Sequence, residues 1–398
     1  MPTRDSFIAR RLRPFGSSIF AETTRRALQH GAVNLAQGFP DFDGPDVAKR
    51  AAIAAIESGH AQYARMIGVP HLNAAIAARW EADGKGTIDP EREVTVTSGC
   101  SEAIINALVG MLDPGDEVIV FEPFFDFYTA GAAMAGATCR FVALHPPRQP
   151  GQDAFWFDPA ELEAAFTPRT RALILNTPHN PTGKVFTREE LRLIADLCLR
   201  HDVVVISDEV YDRLILEPDR PHLSIATLEG MRDRTITLNS LGKTFSLTGW
   251  KIGWAIAPPP LSAAVRAAHQ FMTFSSATPL QHGAAAIIAD PGDTPARTAA
   301  LFRENRDLLA AALTRSGMTV FPSHSTYFLI ADHTPLGLGS GTDFITHLIE
   351  RIGVAAICCT AFHHRAHLGE PLIRFAFCKR KDTMHEAIRR LEALKPAR

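Results

Sequence analysis

Short apolar runs recur through the middle of this 398-residue chain, and each is followed by a polar motif. They are Glu117-Val-Ile-Val-Phe121, Arg140-Phe-Val-Ala-Leu144, Arg171-Ala-Leu-Ile-Leu175, Val203-Val-Val-Ile206 and Thr235-Ile-Thr-Leu-Asn239. A strand with one wet face alternates apolar and polar side chains, so runs without alternation belong to strands covered on both faces. Segments with helical spacing stand before and between them: 47–57, 101–112, 126–135 and 188–201. Strands alternating with helices predict an α/β fold, a mainly parallel sheet sandwiched by helices. Such sheets bind ligands in the crevice beyond the strand C-termini, which is where the polar motifs fall.

After Ala285 the pattern changes. A long amphipathic helix over 297–315 precedes strand-like 327–330, a helix over 344–351, strand-like 372–376 and a terminal helix from Asp382, which predicts a smaller α+β domain. The expected division is an N-terminal arm with part of the small domain over 1–45, a large domain over 46–285 and a small domain over 286–398. With Pro14, Gly31, Gly38 and Pro40, the first 45 residues read as arm and connection rather than core.

Composition excludes several function classes. With 46% hydrophobic and 21% charged residues the chain is an ordinary globular protein. A net charge of −2 gives no electrostatic footprint for nucleic acid or an anionic membrane. No apolar run approaches the roughly 20 residues of a membrane span. Met1–Ser6 lacks a signal-peptide core, and Arg10, Arg11 and Arg13 read as a solvated arm. Six cysteines without CxxC or metal spacing suit a reducing cytoplasm; Cys139 and Cys198 read as core, and the vicinal Cys358-Cys359 pair as packing.

The chemistry concentrates in Ser240-Leu-Gly-Lys243-Thr-Phe-Ser-Leu-Thr-Gly-Trp-Lys251-Ile-Gly-Trp254. A lysine just past a strand end, among small residues, is placed for burial, and burial favours the neutral, nucleophilic amine. Lys243 for covalent chemistry and Lys251 for an anion suggest a phosphorylated aldehyde, a description that pyridoxal 5'-phosphate (PLP) fits. Asp208, after the run ending at Ile206, is a carboxylate whose burial needs a partner, and a pyridinium N–H would serve. Tyr211 follows three residues later. Thr97-Ser-Gly-Cys100-Ser101-Glu102 opens a helix and offers backbone N–H donors to an anion. Phe125 in Glu122-Pro-Phe-Phe-Asp126 can stack on a flat ring. Asn180 stands in Asn176-Thr-Pro-His-Asn-Pro-Thr-Gly183. Taken singly each has a plainer reading: a surface lysine pair, a helix cap at Asp208, a turn at Asn180, core packing at Phe125.

Together with Asn34-Leu-Ala-Gln-Gly38-Phe-Pro-Asp41, Gln62-Tyr63 and Ile373-Arg374-Phe-Ala-Phe377, these motifs occur in the order found in one family. Along nearly its whole length the chain resembles the fold-type-I PLP aminotransferases of class I/II, nearest the kynurenine/glutamine and methionine group. The resemblance implies the PLP-dependent transferase fold, and roles for particular residues. Lys243 carries PLP as an imine and then serves as general acid/base. Asp208 pairs with the pyridinium nitrogen, Asn180 and Tyr211 bond the ring oxygen, and Phe125 stacks. The Cys100 and Ser101 amides, Ser240 and Lys251 hold the phosphate, and Tyr63 reaches the phosphate of a second subunit in a homodimer. Arg374, with Gly38 and Asn180, holds the substrate α-carboxylate. Side-chain choice falls to Ile19-Phe20, Phe125 and Phe274 of the second subunit, so non-acidic donors such as methionine, glutamine, aromatic amino acids or kynurenine are expected.

The chain departs from the group's pattern where Ser275 follows Phe274, at Ile357-Cys-Cys-Thr360 and at His363. His363, His364 and His367 have the look of a metal cluster, but they lack a nearby carboxylate ladder, and no metal is expected. Two other classes share parts of this signature. A PLP-dependent C–S β-lyase would use every cofactor residue, and an aminotransferase-like regulator would need a basic DNA-binding extension.

Overall fold

The computed structural model describes residues 7–15 and 19–396. Met1–Ser6, which carries the targeting expectation, and Ser18 of the substrate arm lie outside the described residues. No helix among the described residues is long and apolar enough to cross a membrane.

The apolar runs become the strands of a seven-stranded sheet: β1 Val94–Thr97, β2 Glu117–Glu122, β3 Thr138–Ala143, β4 Thr170–Asn176, β5 Val204–Asp208, β6 Thr235–Ser240 and β7 Gly253–Ile256. Their order across the sheet is β1-β7-β6-β5-β4-β2-β3. β2 to β6 pair in parallel, as the unalternating runs require, and all residues of β2 and β6 are buried. β7 is the exception to the parallel expectation, since it runs antiparallel to both β1 and β6. Only nine residues separate Lys243 from Gly253, too few for a helical crossover, so the chain turns straight back beside β6. β1 then shares the direction of β6, and six strands point their C-terminal ends to one edge.

β8 Thr319–Val320, β9 Phe328–Asp332, β10 Ile357–Cys358 and β11 Leu372–Ala376 form a second sheet, antiparallel throughout, in the order β10-β11-β9-β8. The predicted helix over 344–351 begins earlier. The Ser340/Asp343 capping box starts it at Gly341, and a wider π turn, Leu348–Ile352, closes it.

The first 45 residues contribute more than a connection. Ile19–Gln29 is helical, and Val33–Asn34 pairs in parallel with Val354–Ala355. Ala27, Leu35 and Ala36 are buried in the main core. Cys198 is buried as expected, whereas Cys139 on the edge strand β3 is half-buried. All six cysteines are free.

Candidate active site

The converging strand ends place their polar residues side by side. Asn176 pairs in register with Asp208, and Asp208 with Leu238; Gly253 lies opposite both Thr97 and Ser240. This fixes one cleft, lined among others by Gly38, Cys100, Ser101, Phe125, Asn180, Asp208, Tyr211, Ser240, Lys243, Lys251 and Arg374. Of the predicted site residues, Tyr63, Ile19 and Phe274 do not line it; Tyr63 is 86% exposed and sets its ring edge-on to Phe274 at 5.7 Å.

At one end of the cleft the helix Gly99–Met111 presents its first turn with no side-chain cap on its N–H groups. Lys251, in the left-handed region at φ 54°, lays its amine 3.3 Å from Ser101 Oγ. Gly99 permits this approach, since a Cβ there would stand 2.9 Å from Lys251 Nζ, and Gly253 lets the strand lie against the helix start, since a Cβ there would stand 2.5 Å from the Cys100 nitrogen. Free helix N–H groups, hydroxyls of Ser101 and Ser240, and an ammonium are the donor set that a phosphate takes.

Asp208 sits at the opposite end, 4% exposed. Its carboxylate accepts from Tyr128 Oη at 2.6 Å and Val210 N at 3.3 Å, with Cys100 Sγ at 3.7 Å. Burial raises its pKa, and these donors with the more distant Lys243 charge oppose the rise only in part. A cationic ring N–H is a partner that would suit this carboxylate. Asn176 braces the strand end, its Nδ2 donating to the Asp208 carbonyl at 3.0 Å while its Oδ1 accepts from Asn180 N at 2.7 Å.

Between the two ends stands Lys243, with Nζ 5.9 Å above the Tyr211 ring and 5.8 Å above that of Tyr327. Burial lowers its pKa, against the attraction of Cys378 and Asp208, which favours the neutral amine. Phosphate donors, a buried amine and a carboxylate thus face one space, and the set fits PLP.

The second sheet contributes Arg374 from β11. It is 3% exposed, and the rings of Phe328, Phe362 and Phe20 lie 4.3, 4.5 and 5.3 Å from its guanidinium carbon. Nη2 donates to the Ala36 carbonyl at 2.8 Å and Nη1 reaches Asn180 Oδ1 at 3.5 Å. Nε has no partner, and no carboxylate among the described residues pairs with the group. Burial lowers its pKa to about 10, leaving it charged at neutral pH.

The family model for aminotransferase class I and II matches residues 31–391. The chain belongs to that family. Its members depend on PLP, so this aminotransferase is a PLP enzyme that acts on amino acids and 2-oxo acids. It is similar to methionine aminotransferase of Escherichia coli, 36% identical over 389 residues covering 96% of this chain and 97% of the relative. It is also similar to kynurenine–oxoglutarate transaminase 3 of Rattus norvegicus, 38% identical over 403 residues covering 95% and 88%. The solved structure of N-succinyldiaminopimelate aminotransferase from Mycobacterium tuberculosis superimposes with a TM-score of 0.93 at 45% identity, over 97% of this chain and 100% of that one.

Sequence reasoning missed Tyr128 of this aminotransferase. Its only signal is its place three residues after Phe125 on a helix start, which brings both to one face. Tyr327 and Phe328 were hidden inside an apolar run. The three histidines do not converge: His363 Nδ1 bonds the Cys359 carbonyl at 2.7 Å, while His364 stacks on Phe141 at 4.4 Å. No group of His, Cys, Asp or Glu among the described residues is arranged to hold a metal.

Proposed function

We propose that the chain is an aminotransferase for non-acidic L-amino acids, working as a cytoplasmic homodimer. The aromatic-lined Arg374 guanidinium, whose Nε has no partner and which meets no carboxylate among the described residues, carries this reading, because a buried cation without a carboxylate awaits one from a ligand. Arg374 would take the α-carboxylate on two parallel N–H groups, with Asn180 and Gly38 beside it. When bound, PLP supplies an electron-withdrawing ring to the substrate nitrogen. Lys243 would be joined covalently to the cofactor, and its amine, once freed by substrate, would take the proton from Cα and return it on the far side of the nitrogen. Asp208, held by Tyr128, would keep the ring nitrogen protonated, while Tyr211 and Asn180 would hold the ring oxygen. Phe125 would stack on the ring. The Cys100 and Ser101 amides, Ser240 and Lys251 would grip the phosphate.

Exposed Tyr63, Phe271 and Phe274 favour a second subunit, whose phosphate Tyr63 would reach. The division into a 1–45 arm, a large 46–285 and a small 286–398 domain is part of this reading, and the free cysteines favour the cytoplasm. Among the described residues the only cations lining the cleft are Lys243, Lys251 and Arg374, which leaves none of these for a distal acid. This favours methionine, glutamine, aromatic or kynurenine-like donors. Likeness to N-succinyldiaminopimelate aminotransferase favours a second reading, a long donor with an acylated distal amine. A C–S β-lyase would release pyruvate and ammonia without any oxo-acid acceptor being supplied.

Borohydride treatment of the yellow protein should fix the cofactor on Lys243, as read by peptide mass. Lys243→Ala should lose both the adduct and turnover. An adduct on another lysine would overturn the assignment.

A further inference from the structure

Tyr327 has no place in the chemistry above, yet it is fully buried between the two halves of the site. Its hydroxyl donates to the Gly38 carbonyl at 2.6 Å. Its ring meets that of Tyr211 edge-on, with centroids 5.3 Å apart at 84°, and Lys243 Nζ hangs 5.8 Å above it. The next residue, Phe328, lies 4.3 Å beneath the Arg374 guanidinium. Both rings press on Gly38: a Cβ there would stand 2.5 Å from Phe328 and 3.0 Å from Tyr327. Two positions before Gly38, the Ala36 carbonyl accepts from Arg374 Nη2. The segment 36–38 therefore holds Arg374 at one end and is held by Tyr327 at the other.

The backbone before Tyr327 is strained. Thr326 has φ 64°, a left-handed conformation that a β-branched residue rarely adopts. The surroundings enforce it: Thr326 N donates to the Leu214 carbonyl at 2.9 Å, Phe328 N to Thr326 Oγ1 at 3.2 Å, and Phe377 N to the Tyr327 carbonyl at 2.9 Å. Strain of this kind persists where an exact side-chain placement is over-determined. Here the placement is that of Tyr327.

We infer that Tyr327 is a positioning residue, its hydroxyl fixing the Gly38 segment that aims Arg374 at the substrate carboxylate, while its ring supports Tyr211 beside Lys243. This rests on the Arg374 reading above.

Two variants of the holoenzyme test it. Tyr327→Phe keeps the ring and removes the hydroxyl, with its hydrogen bond to the buried Gly38 carbonyl and its side-chain hydrogen bond with Tyr211. KM for amino donors and the Kd of 3-phenylpropionate, a carboxylate without an amino group, should both rise, by roughly 3- to 10-fold. The fall in kcat should be smaller, and the PLP content should stay as in the parent. Tyr327→Leu also removes the ring and should shift the pH titration of the cofactor absorption band further than Tyr327→Phe does. Melting temperature and PLP content report folding in both. Unchanged KM and Kd in Tyr327→Phe, or a loss seen in kcat alone, would overturn the inference. Arg374→Lys, measured alongside, separates the two claims. If it leaves 3-phenylpropionate binding intact, the Arg374 reading fails; if it weakens binding and Tyr327→Phe does not, only the role of Tyr327 falls.

Discussion

Replacing Arg374 by lysine would test how this site recognises the α-carboxylate common to all amino acids. Lysine keeps the charge but has a compact ammonium in place of a planar fork. The guanidinium is held flat between Phe328 and Phe362, at 4.3 and 4.5 Å, and its two terminal nitrogens already touch Ala36 and Asn180. A carboxylate docking on it gains two charge-assisted hydrogen bonds, and an ammonium can reproduce only one in that geometry. Losing one such bond costs about 1.5–3 kcal/mol, which is roughly a 10- to 150-fold fall in kcat/KM. Arg374→Ala loses both and strands the carboxylate among apolar rings, so the fall should reach about 10²–10⁴-fold. Because the guanidinium pKa, lowered by burial to about 10, stays well above neutrality, neither effect should vary between pH 6 and pH 8. The assay is kcat/KM for methionine, phenylalanine, kynurenine, glutamine and aspartate in parent and variants. The loss should be the same for every donor. A loss confined to one side-chain class would mean that Arg374 reads side chains and that the α-carboxylate sits elsewhere.

Other outcomes follow from the same geometry. Asp208→Asn should retain PLP by spectrum but lose roughly 10²-fold or more in kcat, since a neutral amide cannot hold the ring nitrogen protonated; near-normal turnover would refute that role. In the parent enzyme, methionine, glutamine or aromatic donors should exceed aspartate and glutamate in kcat/KM, and a preference for aspartate would reveal a cation outside the described cleft. Glu209, buried beside Asp208, would by desolvation alone have a raised pKa, but Lys85 and His222 hold it down to about 2. A depressed carboxylate stabilises the fold above its unfolded pKa, near 4.5, and loses that contribution as pH falls towards 2. Glu209→Gln should therefore lower unfolding free energy at pH 7 by about 3 kcal/mol, and the deficit should shrink below pH 4.5 in denaturant titrations. An equal deficit at pH 7 and pH 3 would show that packing, not charge, is lost.

The fold was legible where burial on both faces leaves a mark in the sequence. Runs such as Arg171–Leu175 and Val203–Ile206 have no alternation, and their strands are covered on both sides. The residues facing the cleft were legible for the complementary reason. Asp208 and Ser240 stand at strand ends, where a polar side chain interrupts apolar sequence, and Asn176 does the same. β7 was not legible as a strand because Gly253–Ile256 follows a glycine-rich turn and too short a connection for the crossover that the pattern favours. Nor was the share of the first 45 residues in the core, since Leu35 and Ala36 lie among turn-forming residues and gain their burial only from the strand at Val354–Ala355.

What escaped the sequence altogether is the layer behind the chemistry. Tyr128 supports Asp208, and Tyr327 with Phe328 supports Gly38 and Arg374, yet each is an aromatic residue inside an apolar stretch, written like any core residue. Their role appears only when two distant segments meet. Tyr327 touches Gly38 across 289 positions of sequence. A residue that reacts must be polar at a place where polarity is costly, and that cost is visible in one dimension. A residue that aims another needs only the right neighbour, and neighbours are a property of the fold. The same reasoning bears on substrate choice. In the proposed function Arg374 and the cofactor residues treat every amino acid alike, so discrimination would fall to the apolar positions around Phe20, Phe125 and Phe274, whose sequence signature is among the least distinctive in the chain.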